Sequence, residues 1–128
     1  MTRFEIHLLH GAPKRAGRKP SGETSEYWED FVVRYHKDTE KLVEIEFYDH
    51  ASLGYQGLDI YSDVNAFEKL SAFDGNPLIG VGTVVFLKLG LATWNLQDVN
   101  GPRTVCLFCR GRWDNALARL TPLNSHKP

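Results

Sequence analysis

The side chains best suited to chemistry in this chain are its carboxylates, its histidines and a single pair of cysteines. Cys106-Leu107-Phe108-Cys109 has the C-x-x-C form. Two thiolates so spaced can supply half a zinc site or run thiol–disulfide exchange. A second ligand pair is missing, and positions i and i+3 of a strand point to opposite faces, so these thiols diverge. Redox use also calls for a helix N-terminus. Ordinary cysteines of a strand fit better. His7 and His10 are also three apart in an alternating segment, His36 and His50 fall near opposite ends of a hairpin, and none has HExxH spacing. Asp49 beside His50, or Glu44 with Glu46, could form an acid/base pair. Nothing nominates a nucleophile or oxyanion donors beside them, so a solvated sheet face is the simpler reading. Gly80-Val81-Gly82 precedes a strand rather than a helix, the wrong order for a phosphate loop. No catalytic residue, cofactor or metal is expected.

Charge is distributed more tellingly than its net value of −1 suggests. Residues 1–22 carry five bases and one acid, residues 23–74 thirteen acids and four bases, and residues 75–128 six bases and two acids. An acidic middle third attracts a basic partner and repels nucleic acid, unless it is only a solvated sheet face. Tyr48, Tyr55 and Tyr61 lie in or beside that third, and aromatic anchors among carboxylates suit a basic protein surface. The opposite charge sits in Gly11–Gly22, GAPKRAGRKPSG, read as a long basic, flexible loop. Lys14, Arg15, Arg18 and Lys19 offer a second reading, a binding module for nucleic acid or an acidic partner. Without interleaved aromatics the nucleic-acid signal is weak.

The elements that must position these groups follow from periodicity. One domain is expected for 128 residues. Arg3–His10 alternates, with Phe4, Ile6 and Leu8 on one face, and reads as a strand. Two β-rich runs, 30–36 and 41–48, flank the polar turn Asp38-Thr39-Glu40-Lys41 and make a hairpin. Leu58–Tyr61 reads as a short strand. It feeds the main helix, capped by Ser62 or Asp63, striped by Val64, Phe67 and Leu70, and closed by Gly75. Further strands are read at Thr83–Leu87, Leu91–Asn95 and Thr104–Arg110. A helical turn follows at Asp114–Leu120, then a frayed tail over 121–128. The expected class is α+β: a twisted, mostly antiparallel sheet of six or seven strands with one main helix packed on one face. No stretch is long and apolar enough to span a membrane. MTRFEIHLLHG lacks the pattern of a secretory leader, so a cytoplasmic address is expected.

Val32-Val33-Arg34-Tyr35, Lys41–Phe47, Gly57–Tyr61, Phe86–Trp94 and Val105–Asp114 together form a pattern that resembles small bacterial immunity proteins of polymorphic toxin systems, including contact-dependent growth inhibition. The resemblance covers roughly residues 30–114 and leaves out the basic loop. It implies a cytoplasmic protein without catalysis of its own, which binds a cognate toxin C-terminal domain, often a basic nuclease, and blocks it. The residues expected to meet that partner are Glu26, Glu29, Asp30, Glu44, Glu46, Tyr48, Asp49, Tyr55, Asp59 and Tyr61. The carboxylates would pair with lysine and arginine, and the tyrosines would pack and hydrogen-bond.

Overall fold

The computed structural model describes residues 1–49, 51–80, 82–97 and 101–123. In chain order these form α1 (Arg3–His10), β1 (Arg15–Arg18), β2 (Thr24–Tyr27), β3 (Phe31–Tyr35), β4 (Leu42–Tyr48), β5 (Gly54–Tyr55) and β6 (Leu58–Asp59). Then follow α2 (Ala66–Asp74), β7 (Leu78–Gly80), β8 (Thr83–Phe86), β9 (Leu91–Trp94), β10 (Thr104–Phe108), a 3-10 turn (Asp114–Arg119) and β11 (Thr121–Pro122). Nine strands make one sheet in the order β1-β2-β3-β4-β10-β9-β8-β7-β11, and β5–β6 is a separate two-stranded ribbon. The pairings are antiparallel. The α+β class and the antiparallel sheet match expectation, whereas the sheet is larger than six or seven strands and the described residues form two α-helices.

The extra helix is Arg3–His10, read from sequence as a strand. Thr2 and Glu5 form a capping box: the Glu5 amide donates to Thr2 Oγ1 at 3.3 Å and the Thr2 amide donates to Glu5 Oε1 at 3.1 Å. The Gly11 amide closes the helix on the His7 carbonyl. Of the three apolar residues in the alternating pattern only Ile6 is buried; Phe4 and Leu8 are 72% and 71% exposed. An eight-residue helix has no stability of its own. Ile6 packs with Val33 and Tyr35, while Arg3 and His7 are tied to Glu26.

The second correction falls in the basic segment. Residues 15–18 are a strand and not loop, paired with β2 from Arg15↔Tyr27 to Arg18↔Thr24. The Gly22 amide donates to the Lys19 carbonyl and the Lys19 amide to the Glu23 carbonyl, both at 2.8 Å, with Gly22 at φ +93°. That is a tight hairpin turn closed by a bulge residue with positive φ, which glycine supplies without strain.

β3 and β4 form the expected hairpin, with a register shift at Arg34/Tyr35. Leu58–Tyr61 shrinks to the two-residue β6, and α2 starts at Ala66, later than Ser62 or Asp63. Asp63 instead accepts the Asn65 amide at 2.8 Å and Lys69 Nζ at 2.6 Å. Val64 is 87% exposed, so Ala66 and Leu70 do the packing, with Phe67 edge-on to Phe86. Gly75 ends α2 in the left-handed region, as read.

Helices α1 and α2 and the ribbon cover one sheet face. Under α2 the core holds Leu58, Ile60, Leu70, Phe86, Leu91 and Val105. On the other face Val85, Ala92 and Cys106 are covered by Leu120, with Trp94, Phe108 and Trp113 around them. The tail expected to fray is in part a strand: β11 pairs with β7, and the Leu123 amide donates to the Pro77 carbonyl at 2.9 Å. Residues 124–128 of that segment lie outside the described residues. Gly80 permits this closure, because a Cβ there would sit 2.3 Å from the Arg119 carbonyl oxygen.

Candidate functional site

The ten residues singled out from sequence separate into four places. Glu26 is at the bottom of the first. It lies on β2 beneath α1, with its side chain 1% exposed. Arg3 Nε donates to Oε2 at 3.0 Å, and His7 Nε2 lies 2.7 Å and 2.9 Å from the two oxygens. Burial raises its carboxyl, but the His7, Tyr35 and Arg3 side chains beside it outweigh this and hold it below the usual carboxylate range. Glu26 therefore fastens α1 to the sheet and cannot face a partner.

Glu44 and Glu46 point to the opposite face, where cross-strand pairing places Arg34 beside them. Arg34 Nη1 contacts Glu44 Oε2 closely and lies 3.3 Å from Glu46 Oε1. Arg112 reaches Glu44 Oε1 at 3.5 Å and forks onto Glu23 through both terminal nitrogens. This fork holds the Glu23 carboxyl below its usual range. Glu44 and Glu46 are thus half-buried members of an ion-pair cluster. Glu44, Glu46 and Cys106 also place one potential metal-ligand atom each within 4.8 Å of one another. The Arg34 guanidinium already occupies that cluster and takes up both carboxylates, where a cation would otherwise sit. The residues do not fit a metal. Cys106 is buried and Cys109 exposed, both free, in accord with their divergence along a strand.

Glu29, Asp30, Tyr48 and Asp49 are brought together at one end of the sheet. Glu29 and Asp30 form the β2–β3 turn and are exposed. The Tyr48 amide donates to the Asp30 carbonyl at 3.0 Å, which sets the end of β4 beside that turn. Asp49 is exposed and accepts the Arg103 amide at 3.4 Å. Burial first, then Glu46, raises the Tyr48 phenol. Lys14 lies 3.6 Å from Glu29 across solvent-exposed side chains, a contact worth little. The Asp49–His50 acid/base pair considered from sequence cannot be placed, because His50 lies outside the described residues.

Tyr61, Tyr55 and Asp59 belong to the ribbon and its exit. Tyr61 is buried: its hydroxyl donates to the Phe47 carbonyl at 2.7 Å, and the Arg103 guanidinium lies 5.2 Å from its ring centre. Tyr55 is half-buried against Phe73, and exposed Asp59 accepts the Ser62 amide at 3.3 Å. Glu29, Asp30 and Asp49 thus make a smaller exposed acidic rim, built from two turns and the end of β4.

Sequence reasoning missed the cations that take up the inner carboxylates. Arg34 meets Glu44 only through the register shift at Arg34/Tyr35, since an unshifted ladder running outward from Tyr35↔Leu42 sets Arg34 opposite Val43. Nothing local pointed to Arg112, which lies 89 positions from Glu23. Thr2 and Glu5 did carry a readable helix-start signal. No helix among the described residues is long and apolar enough to cross a membrane. Comparison with protein-family models, with curated proteins and with solved structures finds no match for this chain.

Proposed function

We propose that this chain is a protein-binding module of the immunity type, which acts without catalysis by covering the basic surface of a toxin's C-terminal domain with its acidic rim. The observation that carries the reading is the convergence of Glu29, Asp30 and Asp49 around Tyr48 at one end of the sheet, all three carboxylates exposed. Such a rim would steer a basic partner and set its orientation, and the tyrosine would give it an amphipathic anchor. Glu44 and Glu46 have a supporting part in this reading, since Arg34 and Arg112 already engage them.

The test is to co-express the chain with the toxin domain encoded beside it and measure co-purification, growth rescue and affinity. The rim variant Glu29→Lys/Asp30→Lys/Asp49→Lys should bind at least tenfold more weakly, mainly through a slower on-rate, with stability changed by about 0.5 kcal/mol or less. Unchanged affinity in a folded triple variant would move the interface elsewhere. Failure of the wild-type chain to bind or rescue would sink the immunity reading.

A further inference from the structure

The two edges of the large sheet are finished differently. β11 closes one edge with two residues, the second of them Pro122, which has no amide to offer a neighbour. At the other edge β1 runs for four residues, all exposed, with no proline inside the strand and no positive φ at Gly17. Its ladder with β2 fixes which backbone groups remain open. Lys19 is hydrogen-bonded to Glu23. Bonded and non-bonded pairs alternate along an antiparallel ladder, so Gly17↔Ser25 is the next bonded pair, and where the strand begins the Lys14 amide donates to the Tyr27 carbonyl at 2.8 Å. The N–H and C=O groups of Ala16 and Arg18 then point away from β2, along the open edge.

Charge decides what can pair there. Lys14, Arg15, Arg18 and Lys19 follow the same edge and are exposed. Arg15 lies over the Tyr27 ring, 4.2 Å from its centre, on one face of the sheet, and alternation puts Arg18 on the other. A second copy of this chain added antiparallel would set guanidinium groups against one another, which disfavours self-pairing. An extended segment rich in glutamate or aspartate meets favourable charge on both faces.

We propose that β1 is a docking edge for an acidic, extended peptide segment of a partner protein, which adds to the sheet as a tenth strand by pairing with Ala16 and Arg18. This site is of the opposite charge sign to the acidic rim, which it adjoins where Lys14 lies 3.6 Å from Glu29.

The experiment uses the whole chain, 15N-labelled, titrated with an eight-residue peptide alternating glutamate with valine or threonine, up to millimolar concentration. Amide exchange at Ala16 and Arg18 should slow at least tenfold on addition, while Lys14 and Gly17, already bonded to the Tyr27 and Ser25 side of the ladder, change little. N-methylating the peptide's two bonding amides should weaken binding about tenfold or more at unchanged charge. Arg15→Glu/Arg18→Glu should abolish binding while leaving the β1–β2 amide pattern in place, and raising salt from 50 to 500 mM should weaken the wild-type complex. Equal binding by the N-methylated peptide, or no protection at Ala16 and Arg18, would overturn the proposal. So would retention of short DNA or RNA in place of the peptide, or self-association through β1.

Discussion

Replacing Glu26 by glutamine tests whether α1 is held chiefly by one buried carboxylate. Glutamine keeps the shape but removes the charge that accepts from Arg3 and His7. A hydrogen bond to a charged group contributes roughly 1.5–3 kcal/mol, and removing one member of a fully buried pair costs about 3–5 kcal/mol. The side chains of Arg3 and His7 are 36% and 35% exposed, so both recover hydration once released. The remaining amide oxygen can still accept one bond. A net loss of about 2 kcal/mol is expected at pH 7. With an unfolding entropy of roughly 2.1 cal/mol/K per residue, this lowers Tm by about 7 °C. The pH dependence adds a second signature. The folded-state carboxyl is held below its unfolded value, so its contribution is present above the usual carboxylate range and is lost as pH falls through the folded value. The gap between wild type and variant should therefore narrow on acidification. Urea denaturation at several pH values, with amide exchange along α1, measures both. A loss under about 0.5 kcal/mol at pH 7, or a gap independent of pH, would refute this account of how α1 is anchored.

Two further substitutions probe the rest of the scaffold. Gly80→Ala brings a methyl group to 2.3 Å from the Arg119 carbonyl oxygen and 3.0 Å from Leu120 Cδ2, so β7 and the C-terminal segment must part. It should cost about 1–3 kcal/mol by denaturant titration, and a neutral result would show that the segment shifts freely. Tyr61→Phe removes only the hydroxyl bonded to the Phe47 carbonyl and should cost about 1 kcal/mol, with the ring beneath Arg103 retained. A gain in stability would show that this bond does not fix the ribbon against β4.

How far the sequence spoke depended on whether a signal was local. The β3–β4 hairpin was readable because Val43, Ile45 and Phe47 alternate beside a polar turn, and the α2 stop because Gly75 supplies positive φ. α1 was misread because Phe4, Ile6 and Leu8 mimic strand alternation, although only Ile6 is buried. What makes this segment a helix is a capping box and a carboxylate 23 positions from Arg3. β1 was hidden by its composition: every residue of it is exposed, so no burial pattern marks it, and its strand character comes from Gly22 and from pairing with β2. The acidic third was visible as charge, but its division into buried anchor, ion-pair cluster and exposed rim depends on register and on Arg112 arriving from the far end of the chain.

The pairing of β4 with β10 carries a consequence for how the chain finds its fold. On one side of this seam β1 to β4 follow in chain order by hairpins, and on the other β10, β9, β8 and β7 do the same in reverse. Each half can zip locally at small loop-closure cost. The seam joins residues such as Glu46 and Cys106, 60 positions apart, so it closes a longer loop than the β7–β11 pairing at the far edge, where Thr121 meets Ile79. Joining the two half-sheets should thus be the slow step, with the seam formed in the transition state and the outer strands contributing little to its height. Val105→Ala, at a buried seam position, should then slow refolding, while Gly80→Ala should mainly quicken unfolding. The reverse assignment in a chevron analysis would rule this order out. Eight of the nine strands would behave in kinetic terms as two small sheets waiting on one encounter, with β11 added at the far edge.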